Sequence, residues 1–528
     1  MRQPLVESSD SFPNRASGPL EPTTGVVVRG APFDTWAFLG AVTSLVVAGV
    51  AFRLLRLDER VLSFDEGYTF ATAHRSLFDM LAAFRFEANG TLYAVLLWPL
   101  LKISESEAIV RSPAVIAGIA TIPAVYWTGR ELVGKHAALV GAAIVAVSPV
   151  LIAWSVYGRG YPLAILFCTL SFGCLGRVLS GDGRTGLWRT LYVASTLAMA
   201  YSSVLSLVVL PIHAIALWTR TAEGSTRRAW VVPALALGMG LLPLGLLLYV
   251  ESTYRDPLHW LWEPDLALIR LVAGELAVGS AYFGVAGAGL AGAIAAVLTA
   301  IALTGVLTPR ARAAMSSWGM RVILGWALFP PFLLLAVSEV RPVFWSRYLG
   351  IVVPALALLA GVILVHLPRK VGLLLGAILA SVLLVASVRT SSPDRDYRQI
   401  AAWLEAERDR GEPIVLYPIE QLPPLAYYAR ELRVDGEIPV EEWNDTPLPP
   451  GVVGVRRDVD WGDSPVGPPS ADDLARLSSR TGSVLVLTYP NLVAGIPLAA
   501  AQARGCSLER TVFDGLVAFS HRGCPEVR

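Results

Sequence analysis

The chain has 528 residues, is 54% hydrophobic and 16% charged, and carries a formal net charge of +1. Soluble domains hold about 25% charged residues, and the apolar residues here fall in nearly uncharged blocks of roughly 20, the length that crosses a hydrocarbon core. A soluble globular protein is thereby excluded, bulk charge argues for no particular partner, and the sequence has no nucleic-acid motif, P-loop or dinucleotide fingerprint.

Residues 1–32 are rich in Ser, Pro and Gly and lack the short apolar core and cleavage site of a signal peptide. They read as a disordered cytoplasmic tail, with the first span, near 36–57, as an uncleaved anchor. A bundle then occupies 33–388. Its basic loops "GRELVGKH" (129–136), "GRVLSGDGRTGLWR" (176–189), "TRTAEGSTRR" (219–228), "PRARAAMSSWGMR" (309–321) and "HLPRK" (366–370) read as cytoplasmic. Crossings then alternate near 36–57, 108–128, 137–156, 160–178, 190–203, 204–218, 229–250, 280–308, 321–340, 348–366 and 371–388, about eleven by the length rule. The short pair at 190–218 reads as a tight hairpin with "AYSSV" at its outer tip. Thr91 to Ile103 is apolar but short, and counting it as a span would put "GRELVGKH" outside; it is expected to be juxtamembrane or partly embedded.

Beyond residue 389 the pattern changes. "DYRQIAAWLEAERDRGEPIVLYP" reads as an amphipathic helix and a strand, "GSVLVLTYP" as a second strand, and 439–469 as loop. Residues 389–528 thus form a small α/β domain, placed by parity on the extracytoplasmic face. The expected class is a mainly α, polytopic membrane bundle with this small outer domain. Cys168 and Cys174 lie six apart in a span and suit packing. Cys506 and Cys524 bracket two alternating stretches around Asp514-Gly515, a type I′ turn signal; counted from that turn they stand nearly opposite, so a disulfide is expected if this part lies outside the cytoplasm.

The topology places "LSFDEGYTF" (62–70) in the first outer loop, 58–90. Asp65 and Glu66 therefore meet, at one face, Arg111, "YGRGYP" (157–162), "YRDPLHWLWEPD" (254–265) and "RPVFWSRY" (341–348). Read singly, arginines near helix ends snorkel and interfacial Trp and Tyr are belt residues. What sets this group apart is arrangement: "FDEGY" lies in an apolar frame, and Arg159 interrupts an otherwise apolar hairpin.

The stretches "SFDEGYTF", "AIVRSPAVIAG", "YGRGYPLAIL" and "SRYLGIVVPAL", with the span order, resemble the GT-C superfamily of integral-membrane glycosyltransferases, in the protein O-mannosyltransferase and lipid A aminoarabinose transferase branch. The resemblance implies a polyprenyl-phosphate-linked sugar donor, an outer-face reaction in the cell envelope, and a glycan, lipid or protein acceptor, with mannose the family-weighted sugar. Members of this group often carry Pro-Pro-Leu after a His or Lys beyond the first loop. Here "EANGTLYAVLLW" (87–98) keeps Leu92 and Tyr93 but no basic group, so Arg111, Arg159 or Arg347 would supply the charge.

The chemistry asks for one base, because phosphate leaves without a general acid. Asp65 is the expected base, and Glu66 is expected to orient an acceptor, bind a metal or pair with an arginine. Planar, permanently charged donors suit the leaving phosphate, hence Arg159, Arg347 with Tyr348, and Arg111. Tyr68, Tyr93, Tyr161 and His259 are expected to contact substrate. No cofactor is assigned with certainty; a divalent metal stays open, although no ligand cluster of recognisable spacing is present and His74 and His259 stand alone. The small-residue span 284–305 suits a groove for the polyprenyl chain or, more simply, close helix packing. A transporter or lipid flippase is the rival reading, and a non-catalytic scaffold the third; no repeated halves or midplane charges favour the transporter.

Overall fold

A computed structural model describes residues 32–55, 57, 61–181, 184–220, 228–254, 258, 261–279, 285–389, 396–407, 412–417, 419–440, 448–454, 483–488, 507–513 and 516–522. The expected tail, His259, Cys506, Cys524 and the Asp514-Gly515 turn lie outside them.

The elements in order are α1 (Pro32–Leu54), α2 (Phe64–His74), α3 (Leu77–Ala83), α4 (Thr91–Leu101), α5 (Glu107–Val133), α6 (Lys135–Ala146), α7 (Pro149–Ser155), α8 (Tyr161–Leu179), α9 (Thr185–Ser202), α10 (Leu210–Arg220), α11 (Val231–Tyr254), α12 (Leu266–Val278), α13 (Val285–Leu307), α14 (Pro309–Met315), α15 (Trp318–Ser338), α16 (Ser346–Leu349), α17 (Val353–His366) and α18 (Arg369–Arg389). The C-terminal part adds α19 (Tyr397–Glu407), β1 (Ile414–Tyr417), α20 (Leu422–Tyr428), β2 (Val452–Gly454), β3 (Ser483–Thr488), β4 (Ser507–Phe513) and β5 (Leu516–Arg522).

Among the described residues, 8 helices are long and apolar enough to cross a membrane, or up to 9 if α6 and α7, bent by 60°, form one span. The remaining two expected crossings fall on α9 and on the broken segment Val204–Arg220, which is short for a span. The chain breaks at Ser203, extended at φ −160, inside "AYSSV". α4 has 11 residues, about 16 Å of helix, about half a hydrocarbon core.

The two ends of the bundle differ chemically. At one end α5 begins, with Arg111 beside α2. At its other end Glu131 pairs with Arg177 at 3.3 Å, Trp318 donates to Thr219 at 3.3 Å, and a Cβ at Gly319 would strike the Leu132 carbonyl. The ends of α5, α8 and α10 and the start of α15 thus gather opposite Asp65. Cys168 and Cys174 are buried free thiols. α13, the small-residue helix, is packed rather than open at Gly305, where a Cβ would lie 2.8 Å from Ile363.

The first outer loop carries two helices, α2 and α3. Ser63 caps α2 with a reciprocal box: its Oγ accepts from Glu66 N at 3.4 Å and its N–H donates to Glu66 Oε2 at 2.9 Å. The C-terminal sheet has order β2-β1-β3-β5-β4, parallel through β3 and antiparallel beyond. β2 falls inside the stretch expected to be loop; three residues are too few to show alternation. Ile400 of α19, Leu416 of β1 and Leu485 of β3 share one apolar cluster with Leu62, Phe70 and Tyr93 of the outer loop region. A Cβ at Gly67 would lie 2.6 Å from the Pro424 nitrogen, so only glycine lets α20 rest on α2.

Candidate active site

The cap that starts α2 sets the directions of its first two acids. Glu66 turns inward. Its Oε1 accepts from Arg111 Nε at 2.8 Å and from Gly158 N at 2.8 Å, and its Oε2 accepts from Ser63 N at 2.9 Å and Arg111 Nη2 at 3.3 Å. Arg111 also donates to the Leu57 and Val61 carbonyls at 2.8 and 3.0 Å and is fully buried. This clamp fixes the loop before α2 and the turn after α7 to the head of α5. The position expected to receive donor phosphate is thus occupied by Glu66 and main chain.

Asp65 turns to the mouth. Its Oδ2 accepts from the Tyr157 hydroxyl at 2.7 Å and from Arg347 Nη1 at 3.2 Å; among the described residues no donor reaches Oδ1. Burial alone would raise the pKa of this carboxyl, but the charges of Arg347 and Arg159 and the Tyr157 hydrogen bond outweigh it and hold it below the ordinary value. Arg159 reaches the same spot from the "YGRGYP" turn, donating to the Asp65 carbonyl at 3.4 Å, Thr69 Oγ1 at 3.2 Å and Glu87 Oε1 at 2.6 Å. Gly160 allows this turn its close approach, since a Cβ there would overlap the Ser202 carbonyl.

Arg347 is supported from beneath. Ser346 donates to Glu275 of α12, and Ser338 Oγ accepts from Val343 and Phe344 N–H, both at 3.0 Å. The guanidinium lies 5.9 Å from the Tyr161 ring, which stacks with Tyr157 and meets Trp154 and Tyr348 edge-on. Tyr161 and Tyr348 are therefore buried props of the two arginines. Tyr93 is buried as well, its hydroxyl donating to Val110 O at 2.7 Å, and Tyr68 packs on Phe64 with ring centroids 4.9 Å apart. Of the expected set, Asp65, Arg159 and Arg347 come together at an accessible surface.

The sequence reading missed Glu87. It stands at the edge of a small pocket lined in part by Thr69, Thr72, Asn89, Tyr93 and Arg159. His74, read as isolated, joins a latch: its Nε2 is 3.0 Å from Glu105 and its Nδ1 3.7 Å from Glu437, while Arg433 pairs with Glu105 at 3.1 Å. Tyr428 accepts from Leu62 N at 2.8 Å and donates to Glu107 at 2.8 Å, so the C-terminal part grips the segment bearing Asp65. Among the described residues no group of three or more His, Cys, Asp or Glu is placed to hold a metal ion.

Residues 89–244 match the family model described as dolichyl-phosphate-mannose-protein mannosyltransferase. No curated protein matches the chain in sequence. Among solved structures, ArnT from Cupriavidus metallidurans in the apo state is 12% identical, with a TM-score of 0.62 over 92% of this chain and 98% of that one. The same protein bound to undecaprenyl phosphate gives 0.56 over 93% and 98%, at 12% identity. Archaeal oligosaccharyltransferase AglB from Archaeoglobus fulgidus, in complex with an inhibitory peptide and a dolichol-phosphate, gives 0.55 over 93% and 75%, also at 12% identity. The chain has the fold of the GT-C integral-membrane glycosyltransferases.

Proposed function

We propose that this multi-pass membrane protein is a glycosyltransferase that moves a sugar from a polyprenyl-phosphate donor to an extracytoplasmic acceptor hydroxyl, by a single inverting displacement with Asp65 as general base. The observation that carries this is the Asp65 carboxylate held between Arg347, Arg159 and Tyr157, with Oδ1 unbonded among the described residues. Bound lipid phosphates in the ArnT and AglB structures support a lipid-linked donor. The basic sequence stretches that adjoin the far ends of α5, α8, α10 and α15 support an outer-face site, a cytoplasmic N-terminus and an extracytoplasmic C-terminal part.

The steps follow from charge. The acceptor oxygen forms its bond to the anomeric carbon as its proton passes to Asp65 Oδ1. The bond from that carbon to the phosphate oxygen breaks, and the phosphate leaves with the electron pair. Arg347 and Arg159 stabilise the charge that develops on it. In the empty enzyme the same guanidinium groups keep Asp65 ionised; once they engage phosphate they relax that hold, and the carboxylate becomes a stronger base. Glu66 and Arg111 act beneath as a brace. A disulfide between Cys506 and Cys524 would staple the β4–β5 hairpin on the oxidising side of the membrane.

The test is transfer from polyprenyl-phospho-mannose and polyprenyl-phospho-arabinose to envelope glycans by the purified protein and its Asp65→Asn variant. Loss of about 10²–10⁴-fold in rate, with lipid-phosphate binding kept, supports the reading. Wild-type rates in the variant, or movement of the lipid-linked sugar across proteoliposomes without a new glycosidic bond, contradict it.

A further inference from the structure

We infer that the pocket beside Arg159 is the sugar subsite of the proposed reaction, and that Glu87 makes it selective for one sugar ring without an anionic substituent. This rests on the lipid-phosphate reading above and adds the substrate class. Position is the first argument. Thr69 lines the pocket and accepts from Arg159, which also bonds the Asp65 carbonyl, so a ring seated there hangs from a phosphate on Arg159 with its anomeric carbon towards Asp65.

Chemistry is the second. The Thr72 hydroxyl spends its proton on the Tyr68 carbonyl at 2.9 Å, leaving lone pairs facing the cavity. Glu87 gives one oxygen to Arg159; among the described residues its Oε2 has no donor. Asn89 accepts from Val204 N at 3.1 Å, which leaves its amide protons. The pocket therefore presents mainly acceptors, which suit sugar hydroxyls, and the Phe84 and Tyr93 rings suit an apolar sugar face.

Rigidity and size complete the case. The Phe86 N–H is tied to the Ala83 carbonyl at 2.9 Å and the Ala88 N–H to Glu251 at 3.1 Å, so Glu87 is held on both sides. The pocket is small, closed in by α2, α4, the loop between them and the turn that bears Arg159. With phosphate on the arginines, a second anion on the sugar would face Glu87 at close range and be repelled.

The experiment is displacement of a fluorescent polyprenyl monophosphate from the detergent-purified full chain by inorganic phosphate, glucose 1-phosphate, glucuronic acid 1-phosphate and maltose 1-phosphate. Wild type should favour glucose 1-phosphate over glucuronic acid 1-phosphate by about tenfold, the effect of roughly 1.4 kcal/mol, and should bind maltose 1-phosphate no better than phosphate. Glu87→Gln should erase most of that preference, read as the ratio of the two sugar phosphates' affinities and so independent of any change in the hold of Arg159 on phosphate. Two results overturn the inference alone: no sugar phosphate surpasses inorganic phosphate, or the preference survives in the variant. Failure of wild type to bind polyprenyl monophosphate at all removes the underlying reading and this inference with it.

Discussion

Asp65 and Glu66 are neighbours in the chain and each faces an arginine, but the two pairs sit in different regions. The Glu66 and Arg111 side chains are 2% and 0% exposed, and Glu66 accepts four hydrogen bonds. The Asp65 and Arg347 side chains are 17% and 22% exposed, and Asp65 receives its two side-chain bonds on one oxygen. A saturated, dry pair has no bonding capacity left for a substrate. A partly open pair keeps a carboxylate oxygen for one. The difference separates the brace from the tool, although both acids look alike in the sequence.

The comparison is most sharply broken by Arg111→Leu. Stranding the Glu66 carboxylate should cost about 3–5 kcal/mol, read as a large drop in thermal stability in detergent with little protein recovered. Arg347→Gln should instead fold normally and weaken polyprenyl monophosphate binding by about 10–100-fold, the loss of one or two charge-assisted bonds. Tyr157→Phe removes one donor to Asp65 and should slow transfer by about tenfold without changing stability much.

The legible parts of this molecule are those written locally. Span length and basic loops gave the bundle, and "FDEGY" in an apolar frame pointed to Asp65. The Glu66–Arg111 clamp was not legible because 45 residues separate the partners and no periodicity links them. Glu87 was read only for the basic group missing beside it; the signal that marks it, its contact with Arg159 across a turn, exists only in the fold. β2 was missed because three residues carry no pattern. The grip of Tyr428 on Leu62 and of Arg433 on Glu105 joins positions more than 300 residues apart.

Two smaller effects follow pH. The Asp65 pKa is lowered, so its contribution to stability is present above the unfolded carboxylate value, about 3.9, and fades only as pH falls through the lower folded value. The kcat/KM profile, which reports groups of the free enzyme, should therefore show no acid limb from Asp65 above the ordinary carboxylate value, about 3.9. Arg347→Gln, which leaves burial less opposed, should move that limb upward in a pH–rate profile. The His74 pKa is raised, first by Glu437 and then by Glu105 against opposing burial. Its contribution is complete below the unfolded value near 6.5 and is lost as pH rises through the folded one. The melting temperature of wild type should thus fall slightly relative to His74→Gln between about pH 6 and pH 8.

The most direct measurement is a side-by-side comparison of Asp65→Asn and Glu66→Gln for melting temperature and for transfer rate from a polyprenyl-phosphate-linked sugar. The account predicts that Asp65→Asn melts near wild type and transfers about 10²–10⁴-fold more slowly, while Glu66→Gln loses stability first. An Asp65→Asn protein that transfers at the wild-type rate would contradict it.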